Sequence, residues 1–345
     1  MATTLRELRE CLDKLSQYGT SKGIVSSALE DFQGMSNYVS QATVQLCFGE
    51  SGDESYSVGF DPAKHALDTR FTHFADGVQR TIQVLTIRSE NGGIPVYAGV
   101  RAAVVLRREN GVFSVWRESP CEVRLLLLAS HAELLGITDD GLYETISEHQ
   151  LGLNPNEPFD HSRLITVVKG HNSSRRHALE WNLTEEFVKH SQPGSMLYLD
   201  GTLDNAFPGV SVIGVAKTSR MLFLPLSYRT VYGLPEGHRS CAFLLPAVEP
   251  DELDDASHVA VDSPRLSWYL RLREPHHPTW GLVRVEASPD TTREQVDEIS
   301  RFILAEREPP PTSDARWDRL VHGVYQCERY LKSIIPRYEV LGAHV

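Results

Sequence analysis

The sequence predicts an α/β protein in which a mixed sheet is flanked by helices and preceded by a helical N-terminal extension. Three observations carry that expectation. Leu5, Leu8, Cys11, Leu12 and Leu15, and a second pattern over Ile24–Phe32, repeat at helical spacing. From Phe71 the period changes to two, through Phe74, Asp76, Val78, Ile82 and Val84, as strands require. Further on, helical patterns and short apolar runs alternate, which is how strands and helices of one layered domain are written in sequence. The change of period divides the chain into 1–66, the helical extension, and 67–345, the main domain.

Bulk composition narrows the function classes. The chain has 345 residues, room for one large domain or two ordinary ones, and its 41% hydrophobic and 23% charged content is that of a water-soluble globular protein. No apolar run approaches the roughly 18 residues of a membrane helix, and the opening M-A-T-T-L-R-E-L-R-E has no apolar leader core. Five cysteines, scattered and without C-x-x-C, point to a reducing cytoplasm rather than to a disulfide frame or zinc knuckle. A net charge of −12 argues against gripping nucleic acid by bulk electrostatics, so any such contact must be local, metal-assisted or helped by a partner.

Each element follows from local pattern. Strands are expected at Pro95–Arg107 and Gly111–Arg117, joined by the turn signal Glu109-Asn110-Gly111, so that with the strand from Phe71 they form an antiparallel meander. Residues 121–150 follow helical spacing through Val123, Leu126, Leu127, Leu134 and Leu135, with Gly136 as a stop. Residues 151–172 read as loop with a short strand at Leu164–Lys169, and Ser173–His190 as a helix capped by Ser173 or Ser174. Met196–Leu199 is a core strand ending at Asp200-Gly201, and Val210–Val215 is another ending at Lys217. Short elements punctuate Leu222–Ala247, and Asp251–Asp255 reads as a solvated acidic turn. Leu266–Arg273 and Leu282–Glu286 read as a strand pair around a loop holding His276 and His277, whose adjacency is wrong for two ligands on one helix face. Thr291–Arg307 is a helix, Glu308–Thr312 a proline-stiffened break, and Trp317–Ile335 a last helix.

Four carboxylates stand out within this plan. Asp76 lies on the apolar parity of its strand. Gly77 beside it marks either a bulge or a place where an inward carboxylate is held for a metal. Asp200 at the tip of a core strand begins either a turn or a site. Glu180 leans toward the apolar stripe of Leu183 and Phe187. Glu328 completes the ladder Val321, Val324, Leu331, Ile335, where a carboxylate is costly unless it is ion-paired or binds a cation. Acids in this order, on a first strand, a helix, a central strand and a late helix, match the plan of an RNase H-like nuclease. Phosphodiester hydrolysis builds negative charge on phosphoryl oxygens, and hard divalent cations in an oxygen cage, often a pair, offset it.

The chain resembles the NurA family of nucleases over roughly residues 70–335. The resemblance rests on H-F-A-D-G-V at 73–78, the helix with Glu180, Y-L-D-G-T-L at 198–203, V-I-G-V-A-K at 212–217, and the ending of strands followed by a terminal helix. It implies an RNase H-like fold and DNA cleavage dependent on manganese or magnesium, with two ions. It also implies a homodimer, and association with a HerA-type hexameric DNA-pumping ATPase in DNA-end processing or anti-phage defence. Carried over residue by residue, Asp76, Glu180 and Asp200 would be metal ligands and Lys217 would face phosphate. Where the family's last helix offers Asp or His, this chain has Glu328 as the fourth metal ligand, with His322 and Asp318 as rivals. Val78 departs from the Ser or Gly that follows the family's first Asp-Gly. That departure leaves room for a second class of function, a catalytically inactive RNase H-like subunit that binds a partner or nucleic acid.

Overall fold

A computed structural model describes residues 20–22, 44–65, 69–89, 92–137, 141–147, 161–207, 211–217, 222–224, 228–246, 263–307 and 317–336. The expected helices at 5–15 and 24–32, the acidic turn 251–255 and the break 308–312 lie outside the described residues. In chain order the strands are β1 (Thr20–Lys22), β2 (Gln45–Leu46), β3 (Tyr56–Ser57), β4 (His73–Ser89), β5 (Gly92–Glu109), β6 (Val112–Val115), β7 (Cys121–Leu128), β8 (Tyr143–Ile146), β9 (Leu197–Asp200), β10 (Val212–Ala216), β11 (His238–Arg239), β12 (Phe243–Leu245), β13 (Arg265–Arg271) and β14 (Leu282–Ala287). The helices are α1 (Pro62–His65), α2 (Ala129–Leu134), α3 (His161–His190), α4 (Tyr228–Tyr232), α5 (Arg293–Glu306) and α6 (His322–Ile334).

All the strands join one mixed sheet with the order β2-β12-β13-β14-β10-β9-β4-β5-β7-β8, and β1, β3, β6 and β11 pair beside that path. At its centre β4 and β5 form a long antiparallel pair, and β6 returns through Asn110 and Gly111 at φ 51° and 77°. Positive φ at both central residues suits a two-residue hairpin turn, so the expected meander is present. Beside it β9 runs parallel to both β4 and β10. Residues 44–65 contribute β2 and β3, which pair with β12 and β11 at the far edge of the sheet.

Helices cover both faces. Helices α5 and α6 lie on one, where Val296, Ile299, Phe302, Val324 and Leu331 pack with Phe74, Ile213, Trp268 and Val285. The long α3 lies on the other, where Leu183 and Phe187 meet Ala75, Ala103 and Val105, and Leu164 and Val168 meet Tyr97, Leu126 and Ile146. Strand alternation separates the two sets: even positions 74 and 76 of β4 face α6 and odd positions 75 and 77 face α3. The register of β4 shifts between Gln83 and Leu85, so that Leu85 and Ile87 continue the apolar face begun by Phe74 and Ile82. The bulge is therefore at Val84 and not at Gly77, whose pairing with Ala103 is regular.

Two sequence expectations are corrected. Residues 121–150 are not one helix: Cys121–Leu128 is strand β7, followed by the short α2 and by β8, which pairs parallel to β7. The run Leu125–Leu128 is buried on both sides, and an apolar run of that length carries no period that tells a covered strand from a helix. Conversely, Leu164–Lys169 is not a strand, nor does a helix begin at Ser173; both belong to α3, and Ser174 Oγ donates to Gly170 O at 3.2 Å from within the helix. The β-branched run Ile165-Thr166-Val167-Val168 favours a strand locally, and packing of Leu164 and Val168 on β7 overrides it. Helix α5 begins as its sequence asks: Thr292 Oγ1 accepts from Gln295 N at 3.3 Å, and Gln295 Oε1 accepts from Thr292 N at 2.8 Å.

The last helix sits against β4 at one close contact. A Cβ placed on Gly323 would stand 2.1 Å from the ring of Phe74, which is fully buried. The other end of α6 is tied to the same strand by Arg80, which donates to Pro336 O at 3.1 Å. Because the Phe74 ring has no room to yield, Gly323→Ala should lower unfolding free energy by roughly 1–3 kcal/mol, the usual penalty of overpacking. Urea denaturation measures it, and an unchanged midpoint would show that α6 does not approach β4 this closely.

Candidate metal centre

The carboxylates meet because of strand register. Ala75 of β4 lies beside Leu199 of β9, and one residue further along each strand come Asp76 and Asp200. On the other side of β9, Val215 pairs with Asp200, and Lys217 follows two residues later with the same facing as Val215. Tyr198 and Val215 belong to the core under α5 and α6, so Asp200 and Lys217 point to the α6 side, as Asp76 does. From above, α6 contributes Glu328. Oxygens of Asp76, Asp200 and Glu328 lie within 4.8 Å of one another. Asp76 is buried, while the Asp200 and Glu328 side chains keep 17% and 14% exposure, so the cluster opens to solvent on one side only.

Lys217 supplies the compensating charge. Its Nζ donates to Asp200 Oδ2 at 2.8 Å and stands 3.7 Å from Glu328 Oε1, with its side chain 3% exposed. Lys332, far more exposed, adds a contact of 3.3 Å to Glu328 Oε2. Burial and then the Asp200 carboxylate push the Asp76 carboxyl well above its ordinary range, against the opposing pull of Lys217. Burial alone would pull Lys217 down, but Asp200, Asp76 and Glu328 outweigh it and hold the ammonium above its ordinary value. Behind the cluster Cys327 is fully buried; its thiol donates to Phe74 O at 3.3 Å, and burial and Asp76 push its pKa up.

A further layer of contacts fixes these groups. Gly77 N donates to Asp76 Oδ1 at 2.8 Å. Arg319 donates to Lys217 O at 2.6 Å and to Asp318 Oδ2 at 3.2 Å, while Gly281 N donates to the same carboxylate at 2.6 Å. Past Asp200, Leu203 is held from both ends: its N–H donates to Glu286 at 2.9 Å and its carbonyl accepts from Arg265 at 2.6 Å.

Of the residues singled out in the sequence, the structure joins Asp76, Asp200, Glu328 and Lys217 and leaves the others apart. Glu180 is not among the carboxylates whose oxygens converge, though its charge still helps burial and Asp200 to raise the Asp76 carboxyl. It is buried on α3, on the opposite face of the sheet, against Gly77, where an added Cβ would come within 2.3 Å of Glu180 Oε1. The glycine of Asp76-Gly77 thus makes room for a helix carboxylate rather than for a bulge. Glu180 is ion-paired with Arg176 at 2.6 Å and lies 3.6 Å from His177, whose other nitrogen is 2.7 Å from Asp204. The rivals for the fourth position are elsewhere: Asp318 is committed to Gly281 and Arg319, and the His322 ring packs on Phe113 at 5.6 Å between centroids. Sequence reasoning missed Gly323, Arg319 and the His177–Asp204 pair. Only Gly323, a glycine inside a helical pattern, carried a local signal.

All-oxygen donors of this kind suit a hard divalent cation such as magnesium or manganese better than a thiolate-seeking metal. No protein-family model matches the chain, and no curated protein is significantly similar to it. No helix among the described residues is long and apolar enough to cross a membrane.

The histidine on α3 yields a pH test. Burial lowers the affinity of His177 for a proton, but Asp204 and Glu180 outweigh it and raise the pKa from 6.5 to about 9. A raised histidine contributes stability that is complete below 6.5 and lost as pH rises through about 9. In urea melts, the stability gap between wild type and His177→Asn should therefore be widest near pH 6 and should narrow toward roughly pH 9.5. A gap that does not change with pH would mean that no imidazolium is held there.

Proposed function

We propose that the protein is a metal-dependent DNA nuclease of RNase H-like design, akin to the NurA family, cutting phosphodiester bonds in concert with a HerA-type DNA translocase. The observation that carries this reading is the convergence of Asp76, Asp200 and Glu328 within 4.8 Å, with Lys217 beside them. The topology supports it. Strands β7, β5, β4, β9 and β10 are neighbours in that order; β5 is antiparallel to β4 and to β7, and β9 is parallel to β4 and to β10. Acids of the first strand and of a central strand are thereby set side by side, as an RNase H-like reading requires.

Asp76, Asp200 and Glu328 are the residues that would hold a divalent cation, manganese or magnesium. When bound, that cation supplies Lewis-acid charge at the phosphoryl oxygens. The chain's own groups do the rest. Arg319 and the Glu286–Leu203 contact keep Lys217 and Asp200 in place, and the partly exposed Asp200 and Glu328, with Lys332, form the side from which a phosphate would approach. The protein's net charge of −12 makes sequence-independent DNA affinity low, which fits a nuclease that is dimeric and fed by a motor partner.

A second reading is a non-catalytic subunit of the same design. It is favoured by Glu180, which is ion-paired with Arg176 and is not among the three carboxylates that converge. End-labelled linear and single-stranded DNA, incubated with manganese, magnesium or EDTA, separates the two. Cleavage should require the divalent cation and should fall by at least about 100-fold in Asp76→Ala, Asp200→Ala and Glu328→Ala, with circular dichroism unchanged. It should rise when the ATPase is added. Cutting at the wild-type rate by all three variants would remove the mechanism, and no cutting with or without the ATPase would leave the non-catalytic reading.

A further inference from the structure

We propose that Lys217 is an internal placeholder for the divalent cation: its ammonium occupies the carboxylate cluster, and the metal enters by displacing it. The inference rests on the metal-centre reading above and adds a control on loading. Three carboxylates within 4.8 Å repel unless a cation stands among them. In this structure that cation is Lys217 Nζ, 2.8 Å from Asp200 and 3.7 Å from Glu328. With its side chain 3% exposed, the ammonium belongs to the cluster's interior and not to its mouth. An ammonium and a divalent ion bound to the same carboxylates would sit a few ångströms apart in a poorly solvated place, where like charges repel strongly, so the two compete for the same oxygens.

The lysine is built for such an exchange. Its backbone is pinned by Arg319, which donates to Lys217 O at 2.6 Å, so the exchange moves only a flexible four-carbon side chain about that fixed point. An arginine would hold the same carboxylates through a planar fork and release them less readily. The cluster is thus kept assembled without metal, and metal affinity is set by the cost of moving one side chain.

Two measurements on the full chain test this. Lysine-selective acylation of wild-type protein, read by mass spectrometry on the Lys217 peptide, should be slow in EDTA. It should rise at least about tenfold as manganese saturates, with a half-point matching the calorimetric Kd. Lys217→Met, which keeps an unbranched side chain one atom shorter and removes its charge, should bind manganese at least about tenfold more tightly by calorimetry. It should also melt at a lower temperature than wild type in EDTA. Manganese binding with no rise in Lys217 labelling overturns the placeholder while leaving the metal centre intact, as does a folded Lys217→Met with unchanged or weaker affinity. Binding by the variant but not by wild type supports it. Absence of binding by both overturns the metal centre and the placeholder together. If Lys217→Met fails to fold, labelling of wild type decides alone.

Discussion

Mutual repulsion among Asp76, Asp200 and Glu328 is the constraint on which the architecture of this protein turns. Their oxygens are within 4.8 Å of one another, and Asp76 is buried. Left alone, such a cluster would separate or take up protons. Two things keep it together. The sheet sets Asp76 and Asp200 side by side, each one residue past the paired Ala75 and Leu199 of neighbouring parallel strands. Lys217, at the end of the next strand, places an ammonium against Asp200 and close to Glu328.

Glu328 arrives by a different route, and its place depends on a residue with no chemistry of its own. Helix α6 can lie on β4 only because Gly323 has no side chain where the Phe74 ring passes. On the other face Gly77 does the same for Glu180 of α3. Residues 76 and 77 alternate across the sheet, so one adjacent pair serves both layers: Asp76 supplies a carboxylate to one face, and Gly77 leaves space for a carboxylate on the other.

Charged groups are buried well beyond the site, and two of them show how a buried charge is paired. Arg239 is fully buried and donates to both oxygens of Glu50, at 2.7 and 2.9 Å, and to Asp297 at 2.6 Å. This joins the segment that carries β2 and β3 to helix α5. Glu306 receives Arg108 at 2.6 and 3.0 Å, and the same guanidinium donates to Phe71 O, fixing the approach to β4. Removing one member of such a pair leaves an uncompensated buried charge, so these contacts specify how segments dock.

The sequence by itself determined the strands from Phe71 to Val115, the core strands ending at Asp200 and near Lys217, the strand pair expected at Leu266–Arg273 and Leu282–Glu286, and the last two helices. The exception is the start of the final helix, expected from Trp317, which begins at His322 after a short turn at Trp317–Arg319 and an extended Val321. Alternation and turn residues are local, and a pattern of two or of 3.6 can be read without knowing what lies opposite. It also marked Asp76 and Glu328, because a carboxylate on an apolar face is anomalous before any partner is known. It could not place 121–128 in a strand or 161–172 in a helix, since an apolar run covered on both sides has no informative period and β-branched residues obey their neighbours more than their propensity. Only the tertiary structure decided which acids meet. Glu180 and Glu328 both sit on apolar helix stripes, and nothing in either stripe says which face of the sheet its helix will cover. The packing that settled it has close contacts at Gly77 and Gly323, where no side chain would fit, and it sets Glu328 with Asp76 and Asp200 and pairs Glu180 with Arg176.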